Sequence, residues 1–459
     1  MRLHRHNPAL LHVDVHPELP AAGPRRRPHW LTEPRMRAYS HAMLFCYFAF
    51  VGAYVVRLFG PHSAGLPRLT LDFTPIWSAA WLAAHGHALD AWQYTAVGMV
   101  EFQAIPAMHE MHAGLPWLYP PTMLLWVLPL GWLPYALAAA LWLGGAYALF
   151  VAVCGAIVPR RTAMLCAFAF PGAFFATLVG QNSLLTAALA GLGLLTLQRR
   201  PVAAGVCFGL LTVKPQLAIL FPLALLCAAQ WRALAAWVAT VAGGAALATL
   251  AFGPAAWLSF LHGVSGTYQA VGTSPAILAR IPTLYAMSML AGWPAIATKG
   301  LEAVSVLVAI AAVCYAWRGD CTYALRAATL VCASLLVSPY LFDYDLAWYG
   351  IVIAWYARHA FSHGWRRFDR EWLVLLWLMP LASAKLVDHL HVQFMPIVTF
   401  ATLALLVARI SRERHEAPCL PDAHDSATDT DFAHAARPHD AAPRLHRLDR
   451  PVLPHGSRH

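Results

Sequence analysis

Asp72 lies in a segment whose residue types suit acid–base chemistry at a membrane boundary. In the apolar stretch that follows, Phe73, Ile76 and Ala80 recur at helical spacing, which predicts a helix lying in the membrane interface. A carboxylate that is partly desolvated by aromatic neighbours is suited to take a proton from a hydroxyl nucleophile. The alternative is structural, because an aspartate just before a helix also accepts hydrogen bonds from the first helical turn.

Two basic residues have the chemistry to bind a phosphate. Lys214 ends an apolar run and precedes Pro215, and Arg280 lies in the segment 253–296, which contains no Asp or Glu. A cation beside a phosphate leaving group neutralises the charge that grows on it. For Lys214 the alternative is a side chain that snorkels to the membrane surface. The composition of 253–296 is also that of a loop that covers a site as a lid.

Neutral and acidic side chains stand at other boundaries of apolar runs. Gln181 and Asn182 form a turn between two apolar runs, where their amides either bind sugar hydroxyls or satisfy the turn. The sequence SPYLFDYDLAWY brings Asp343, Tyr344 and Asp345 to another boundary. Capping of the following helix explains one aspartate, and the other is a candidate second acid or acceptor contact. The two aspartates are equivalent at this stage.

The remaining ionisable groups have weaker patterns. Asp90, Glu101 and Glu110 sit in ordinary polar settings and are expected to be solvated helix charges. His109 and His112 have the spacing of zinc ligands but no further ligands nearby. The nine cysteines are scattered singly, without a metal or redox motif. We therefore expect no cofactor and no metal.

The composition is that of a membrane protein. Hydrophobic residues make up 59% of the 459 residues, charged residues make up 12%, and the mean hydropathy is +0.54. This leaves too little polar surface to coat a water-soluble globule. The net charge of +10 is concentrated in the ends of the chain and in short connectors, which is typical of a membrane-orientation signal and not of nucleic-acid binding.

The apolar runs predict an all-α polytopic protein with about twelve transmembrane helices. The predicted membrane domain is 39–410, with a first outer loop at 60–116 and a second at 253–296. The flanking segments 1–38 and 411–459 are polar and are expected to be disordered tails. The predicted spans are 40–59, 135–157, 162–178, 182–197, 202–213, 216–230, 233–252, 297–317, 322–337, 345–360, 371–388 and 392–409.

The stretch 117–134 is apolar but contains four prolines, so we expect a re-entrant or broken helix there. Basic residues in short loops remain preferentially in the cytoplasm. If 117–134 does not cross the membrane, this rule places both termini and every basic connector inside. All the candidate site residues then face the outside.

The motifs resemble glycosyltransferase family 87 in order and spacing. They are DFTPIWSAAWLAAHGHALDAW, YPPTMLLWVLPLGWLP, GQNSLLTAALAGLGLL, RRPVAAGVCFGLLTVKPQ and SPYLFDYDL, within about residues 70–350. The resemblance implies a GT-C fold with an outward-facing site and Asp72 as the base. It implies a donor contact for Lys214, and we count Tyr119 and Gln216 with the donor-binding residues because they lie in these motifs. Similar enzymes often carry a histidine near the Ser-Pro segment, where this chain has Tyr344 and Asp345.

The expected function is inverting transfer of a hexose from a polyprenyl-phosphate donor to a lipid or glycan acceptor, at the outer face of the plasma membrane. Mannose is implied by the resemblance alone. A transporter or flippase of lipid-linked sugars is the alternative, and it requires ionisable groups at mid-membrane depth. A non-catalytic envelope scaffold would not need Asp72. The expected partners are the donor, the acceptor and membrane lipids, with no nucleic acid.

Overall fold

Helices form all the regular structure of residues 29–58, 70–105, 115–271, 274–390 and 392–416, which are the residues that this computed structural model describes. The expectation of an all-α protein is confirmed for these residues. In chain order the α-helices are α1 (Glu33–Leu58), α2 (Thr74–Ala84), α3 (Tyr94–Ala104), α4 (Pro121–Val127), α5 (Tyr135–Ile157), α6 (Arg161–Phe168), α7 (Pro171–Val179), α8 (Ser183–Thr196), α9 (Pro201–Leu210), α10 (Pro215–Ala218), α11 (Leu220–Cys227), α12 (Trp231–Phe252), α13 (Ala255–Val271), α14 (Pro275–Ala279), α15 (Leu284–Leu290), α16 (Ala295–Arg318), α17 (Tyr323–Ser334), α18 (Tyr349–His363), α19 (Asp369–Leu390) and α20 (Met395–Glu416).

The chain is a multi-pass membrane protein. Each of the twelve predicted apolar segments contains an α-helix. Six described helical segments are long and apolar enough to cross a bilayer, whereas others, such as α8 and α9, are shorter than the about 20 residues that a full crossing needs. The count of about twelve spans therefore stays a prediction. The six are Glu33–Arg57, Tyr135–Ile157, Arg161–Val179, Trp231–Phe252, Ala295–Arg318 and Met395–Glu416.

Basic residues and candidate site residues alternate at the ends of successive helices. From Arg161, α6 and α7 lead to Gln181, and α8 leads back to Arg199 and Arg200. From there α9 and a short 3₁₀ turn (Leu211–Val213) lead to Lys214. This alternation gathers the candidate site residues at one set of helix ends and the arginines at the other.

The ends of the predicted membrane domain differ slightly from the helices. Helix α1 begins at Glu33, before the predicted border at 39, and α20 extends to Glu416. His29 and Trp30, within the predicted N-terminal tail, both hydrogen-bond to Glu371 at the start of α19. Residues 1–28 and 417–459 of the two predicted tails lie outside the described residues.

The segment 60–116, predicted to be the first outer loop, contains the predicted helix, which is α2. Its apolar residues Ile76 and Ala80 and the preceding Phe73 are fully buried against other parts of the protein. Helix α3 and a 3₁₀ turn (Ala88–Trp92) cover the other sides of α2. This segment is thus a packed layer, and it can hold Asp72, which lies just before α2, in a fixed place.

The proline-rich stretch is a broken helix, as expected. Helix α4 ends at Val127, and a 3₁₀ turn (Leu128–Trp132) precedes α5. Gly131 in this turn lies so close to α2 that a Cβ atom on it would be 2.2 Å from the carbonyl oxygen of Ala80. Only glycine permits this contact between the two backbones.

We expect Gly131→Ala to lower the stability of the protein by about 1–3 kcal/mol, because the added methyl group forces α2 away from the turn. The measurement is the midpoint of thermal unfolding in detergent. Gly144→Ala in α5 is the matched control, since no atom lies within 4 Å of its added methyl group. Equal midpoints for the two variants would contradict the tight contact.

Candidate functional site

Polar side chains from separate parts of the sequence meet in one cluster. It contains three carboxylates, two cations and three neutral hydrogen-bonding groups that come from the first outer loop, the turns around α4, α8 and α10, and the segments around Arg280 and Asp343. All the predicted site residues except Asn182 and Gln216 take part in it, Tyr344 through its ring. Gln216 lies one residue into α10, half-buried, and its side chain makes no hydrogen bond to the described residues of the cluster.

Asp72 lies in a 3₁₀ turn (Leu71–Phe73) and is half-buried. Its carboxylate accepts a hydrogen bond of 3.3 Å from Nε2 of Gln181. The alternative role of a helix cap is wrong, because Phe73 occupies the N-cap of α2 and no side chain caps that helix. The carboxylate is therefore available for chemistry.

The turn that carries Asp72 is held against the end of α7. The backbone N–H of Thr70 donates to the carbonyl of Leu178 at 2.6 Å, and Thr70 adopts a left-handed conformation with φ of 60°. Gly180 also has a positive φ of 96°, and a Cβ atom there would be 2.8 Å from the Thr70 carbonyl oxygen. Glycine at 180 is therefore required twice, by the backbone conformation and by the close approach. This contact brings Gln181 to Asp72.

Burial raises the pKa of Asp72 above its usual range, although the nearby Arg280 guanidinium, the hydrogen bond from Gln181 and the Lys214 ammonium oppose the shift. Asp343 is close enough to raise the pKa of Asp72 further. A carboxylate whose pKa is raised toward neutrality is a stronger base while still ionised at neutral pH.

Tyr119 links the proline-rich turn to the same point. Its hydroxyl donates to Oε1 of Gln181 at 2.8 Å, and its carbonyl accepts from the Trp92 indole at 2.9 Å. Gln181 thus connects the phenol with Asp72. Asn182 is fully buried behind this link, and its amide makes no hydrogen bond of normal geometry to the described residues.

Lys214 and Asp345 form a buried ion pair. The ammonium lies 2.7 Å from Oδ1 of Asp345, and the two side chains are only 4% and 3% exposed. The Ser183 hydroxyl donates to the same carboxylate oxygen at 2.6 Å. The snorkelling alternative for Lys214 is wrong, because its side chain is enclosed by protein. Ser183 was not singled out from the sequence, where a serine at a helix start indicates only a cap.

Arg280 and Asp343 form a second pair that is more open. Nε and one terminal nitrogen of Arg280 donate to the two carboxylate oxygens at 3.1 and 3.2 Å, and the Arg280 side chain is 42% exposed. The Arg280 carbonyl also accepts from the backbone N–H of Asp343 at 2.8 Å. Burial raises the pKa of Asp343, and Arg280 opposes that shift. The structure thus separates the two aspartates, which were equivalent in the sequence.

Tyr344 lies between the two ion pairs. The Lys214 ammonium is 5.0 Å from the centre of its ring, and the Arg280 guanidinium is 6.0 Å away. Phe342 stacks on Tyr344 with ring centres 5.3 Å apart. Cations close to an aromatic face are stabilised there, so Tyr344 helps to hold both of them in the site.

Glu101 differs from the expectation of a solvated charge. It is fully buried in α3 and accepts hydrogen bonds from the Thr74 hydroxyl at 2.8 Å and from the Leu115 backbone at 2.7 Å. Burial raises its pKa to about 7. Glu101 therefore ties the start of α2, two residues after Asp72, to the segment that precedes α4. Glu110, His109 and His112 lie outside the described residues.

The described residues contain one group with the geometry of metal ligands, and it lies away from the cluster. The ligand atoms of His359, His363 and Glu413 are within 4.8 Å of one another. They lie near the C-terminal end of α18, whereas the turn Asp343–Trp348 leads into its N-terminal end. A metal bound there would be remote from the cluster around Asp72.

A multi-pass helical protein with carboxylates and cations gathered at its helix ends has the layout of a membrane enzyme. Residues 117–339 match the model of glycosyltransferase family 87, and the family is that of a membrane glycosyltransferase. Over these residues, just under half of the chain, the protein resembles glycosyltransferase family 87, as its motifs indicated. The matched region includes Tyr119, Gln181, Lys214 and Arg280, and Asp72 lies before it. No curated protein and no solved structure matches the chain.

We expect Lys214→Met to destabilise the protein by about 3–5 kcal/mol, because Asp345 is then left as a buried charge without a partner. The double variant Lys214→Met with Asp345→Leu should recover most of this loss, since neither charge remains. The measurement is thermal unfolding in detergent. Lys299→Met, at an exposed lysine, is the control. A Lys214→Met protein as stable as the control would contradict a buried ion pair.

Proposed function

We propose that this glycosyltransferase moves a hexose from a polyprenyl-phosphate sugar to a lipid or glycan acceptor, with inversion at the anomeric carbon. The observation that carries the proposal is the half-buried Asp72 carboxylate in a cluster whose cations, Arg280 and Lys214, are close enough to influence its pKa. A proton acceptor and a phosphate-binding cation side by side are what this reaction requires.

In the proposed step the acceptor hydroxyl gives its proton to the Asp72 carboxylate. The acceptor oxygen forms a bond to the anomeric carbon from the face opposite the phosphate, and the bond from that carbon to the phosphate oxygen breaks. The bonding electrons leave with the phosphate. The products are the glycoside with inverted configuration and polyprenyl phosphate, whose negative charge has increased.

The phosphate contact is assigned first to Arg280. Its side chain is 42% exposed and presents the planar fork of donors that fits a phosphate. Lys214 is held by Asp345 and is almost fully enclosed, so its contribution is an electrostatic field at a distance. Arg280 can thus exchange Asp343 for the donor phosphate, whereas Lys214 stays bound to Asp345.

The sugar and the surrounding segments have their own proposed roles. Gln181 and Tyr119 form a chain of neutral hydrogen-bonding groups beside Asp72 and suit sugar hydroxyls. Asn182 and Gln216 are proposed as supporting donor contacts, and Tyr344 as an acceptor contact. The segment 253–296, which carries Arg280, is proposed to cover the bound donor.

The donor is proposed to be mannose-linked, on the basis of the family resemblance, and no metal is required because the leaving group is a lipid monophosphate. The site is proposed to face the outside of the plasma membrane, with both termini in the cytoplasm. The alternation of arginine-bearing and site-bearing helix ends supports this orientation.

We expect Asp72→Asn to lower the transfer rate about 10²–10⁴-fold, because the amide cannot accept the proton. The measurement is transfer from a panel of radiolabelled polyprenyl-phosphate hexoses to an envelope lipid extract by the purified protein. Asp90→Asn is the matched control, since Asp90 is in the same loop but pairs with His87 and Gln93 at the surface.

The outcome separates the proposal from its rivals. Equal activity of the Asp72→Asn and wild-type proteins would remove Asp72 as the base and make Asp343 the next candidate. If the folded wild-type protein binds the lipid-linked sugar and transfers none, the function is that of a transporter or flippase.

We expect the acid limb of the transfer rate to lie above the usual pKa of an aspartate, because burial raises the pKa of Asp72 and the base works only when ionised. Activity is therefore lost as the pH falls through this raised pKa. Since Arg280 lowers the pKa of Asp72, Arg280→Gln should move the acid limb to higher pH. The check is the pH dependence of kcat/KM, with Lys299→Gln as the control. An acid limb that stays in place or moves to lower pH in Arg280→Gln would contradict this coupling.

A further inference from the structure

A large cavity lies between α1, α6, α18 and α19 and has a volume of about 1050 Å³. Its inner wall is apolar and includes Met43, Phe170, Ile353, Trp377 and Leu378. This size and lining are those of a site for a sizeable apolar ligand. The proposed sugar-transfer reaction does not use it.

The arginine-bearing part of the cavity lies at the opposite helix ends from the Asp72 cluster, while its lining extends along α18 to Gly350. Tyr135, at the start of α5, hydrogen-bonds to Thr70 beside Asp72, whereas Arg160 after the end of α5 lines the cavity. The 23 residues of α5 separate the two ends by roughly 34 Å, about the thickness of a hydrocarbon core. Helix α19 also extends from one end to the other. Its first residues line the cavity, and Gln393, which follows its last residue, donates a hydrogen bond to the Ala279 carbonyl near Arg280.

The rim of the cavity is positively charged. Its charged lining residues are Arg37, Arg160, Arg161 and Arg370 against the single carboxylate of Glu33. Glu33 is already paired with Arg37 at 2.6 Å. A net positive rim above an apolar interior fits a molecule with an anionic head and apolar tails.

Arg160 and Arg161 are the cations available to such a head. Both are exposed, and neither side chain donates a hydrogen bond to the described residues. The Arg160 guanidinium lies 4.2 Å from the centre of the Phe361 ring, which holds it at the rim while its donors stay open. Basic connectors that only orient a membrane protein need no apolar cavity beneath them.

Helix α1 leaves the cavity open to the lipid phase. Of its residues, only Ser40 and Tyr47 are buried in the described structure, while Phe45 and Phe48 are more than 70% exposed. Tyr47 fixes α1 to the neighbouring helices by stacking on Phe174 at 3.8 Å and by a hydrogen bond to the Ala169 carbonyl. The helix is thus attached on one side, and a membrane lipid can reach the space on its other side.

We propose that this cavity binds an anionic phospholipid, with its phosphate at Arg160 and Arg161 and its acyl chains between α1 and α19. Guanidinium groups bind phosphate oxygens in pairs, and basic pockets between transmembrane helices are suited to anionic lipid headgroups on the cytoplasmic side. The bound lipid fills the space between α1 and the remaining helices and holds α1 in place.

The test is native mass spectrometry of the delipidated full-length protein in detergent, with phosphatidylglycerol and with phosphatidylcholine of the same acyl chains. The expected result is about tenfold tighter binding of phosphatidylglycerol, and loss of that preference in Arg160→Ala/Arg161→Ala. The matched control is Arg199→Ala/Arg200→Ala, a basic pair on the same side that does not line this cavity. It should keep the preference.

A second variant tests the apolar part independently of the arginines. Ala357→Trp places a large side chain in the cavity and should reduce retention of phosphatidylglycerol about tenfold while Arg160 and Arg161 remain. Equal binding of the two phospholipids, or equal loss in the control pair, would overturn the proposal. Polyprenyl phosphate is added in competition, and its preferential binding in an Arg160-dependent manner would replace the proposed occupant.

Discussion

The buried ion pair between Lys214 and Asp345 is the contact on which the arrangement of the site depends. It joins the end of α9 to the turn before α18, 131 residues away along the chain, and Ser183 brings the start of α8 to the same carboxylate. A buried charge without a partner destabilises the protein. Removal of either Lys214 or Asp345 would therefore leave the other as a destabilising buried charge. One carboxylate oxygen of Asp345 therefore joins the three helix ends. The same contacts fix the positions of the nearby residues Gln181 and Tyr344.

Much of the site could be predicted because its residues interrupt apolar runs. A carboxylate, a lysine or an amide at the end of an apolar segment is conspicuous, and Asp72, Lys214 and Gln181 were identified in this way. The partners of these residues could not be predicted, since Lys214 pairs across 131 residues and nothing local distinguishes Asp343 from Asp345. Glu101 was misjudged for the same reason: its polar neighbours in the sequence suggested solvent, whereas the fold encloses it between Thr74 and Leu115.

The helical class was evident from composition, but the lengths of the helices were not. An apolar run indicates that a segment avoids water, but it does not indicate where the helix is interrupted. The proline at 171 divides one predicted span into α6 and α7, and the 3₁₀ turn Leu211–Val213 ends another shortly before Lys214. The turn before Lys214 is at the site end of the bundle, where short helices leave backbone turns free to carry polar residues, whereas the interruption at Pro171 lies about midway between Arg161 and Gln181. The Gly180 turn shows the consequence most directly, since it delivers Gln181 to Asp72.

The charges of the site impose a condition on the proposed donor. Two cations, Lys214 and Arg280, face three carboxylates, and each cation is already paired, so Asp72 is left with only the neutral amide of Gln181. A phosphate would add further negative charge to a site that has no spare cation. Burial raises the pKa values of both Asp72 and Asp343. Arg280 is the cation that a phosphate can reach, because its side chain is partly exposed and its partner Asp343 has a raised pKa. In the partly exposed pair, Arg280 can thus exchange Asp343 for another anion, whereas the buried pair of Lys214 and Asp345 keeps the site assembled.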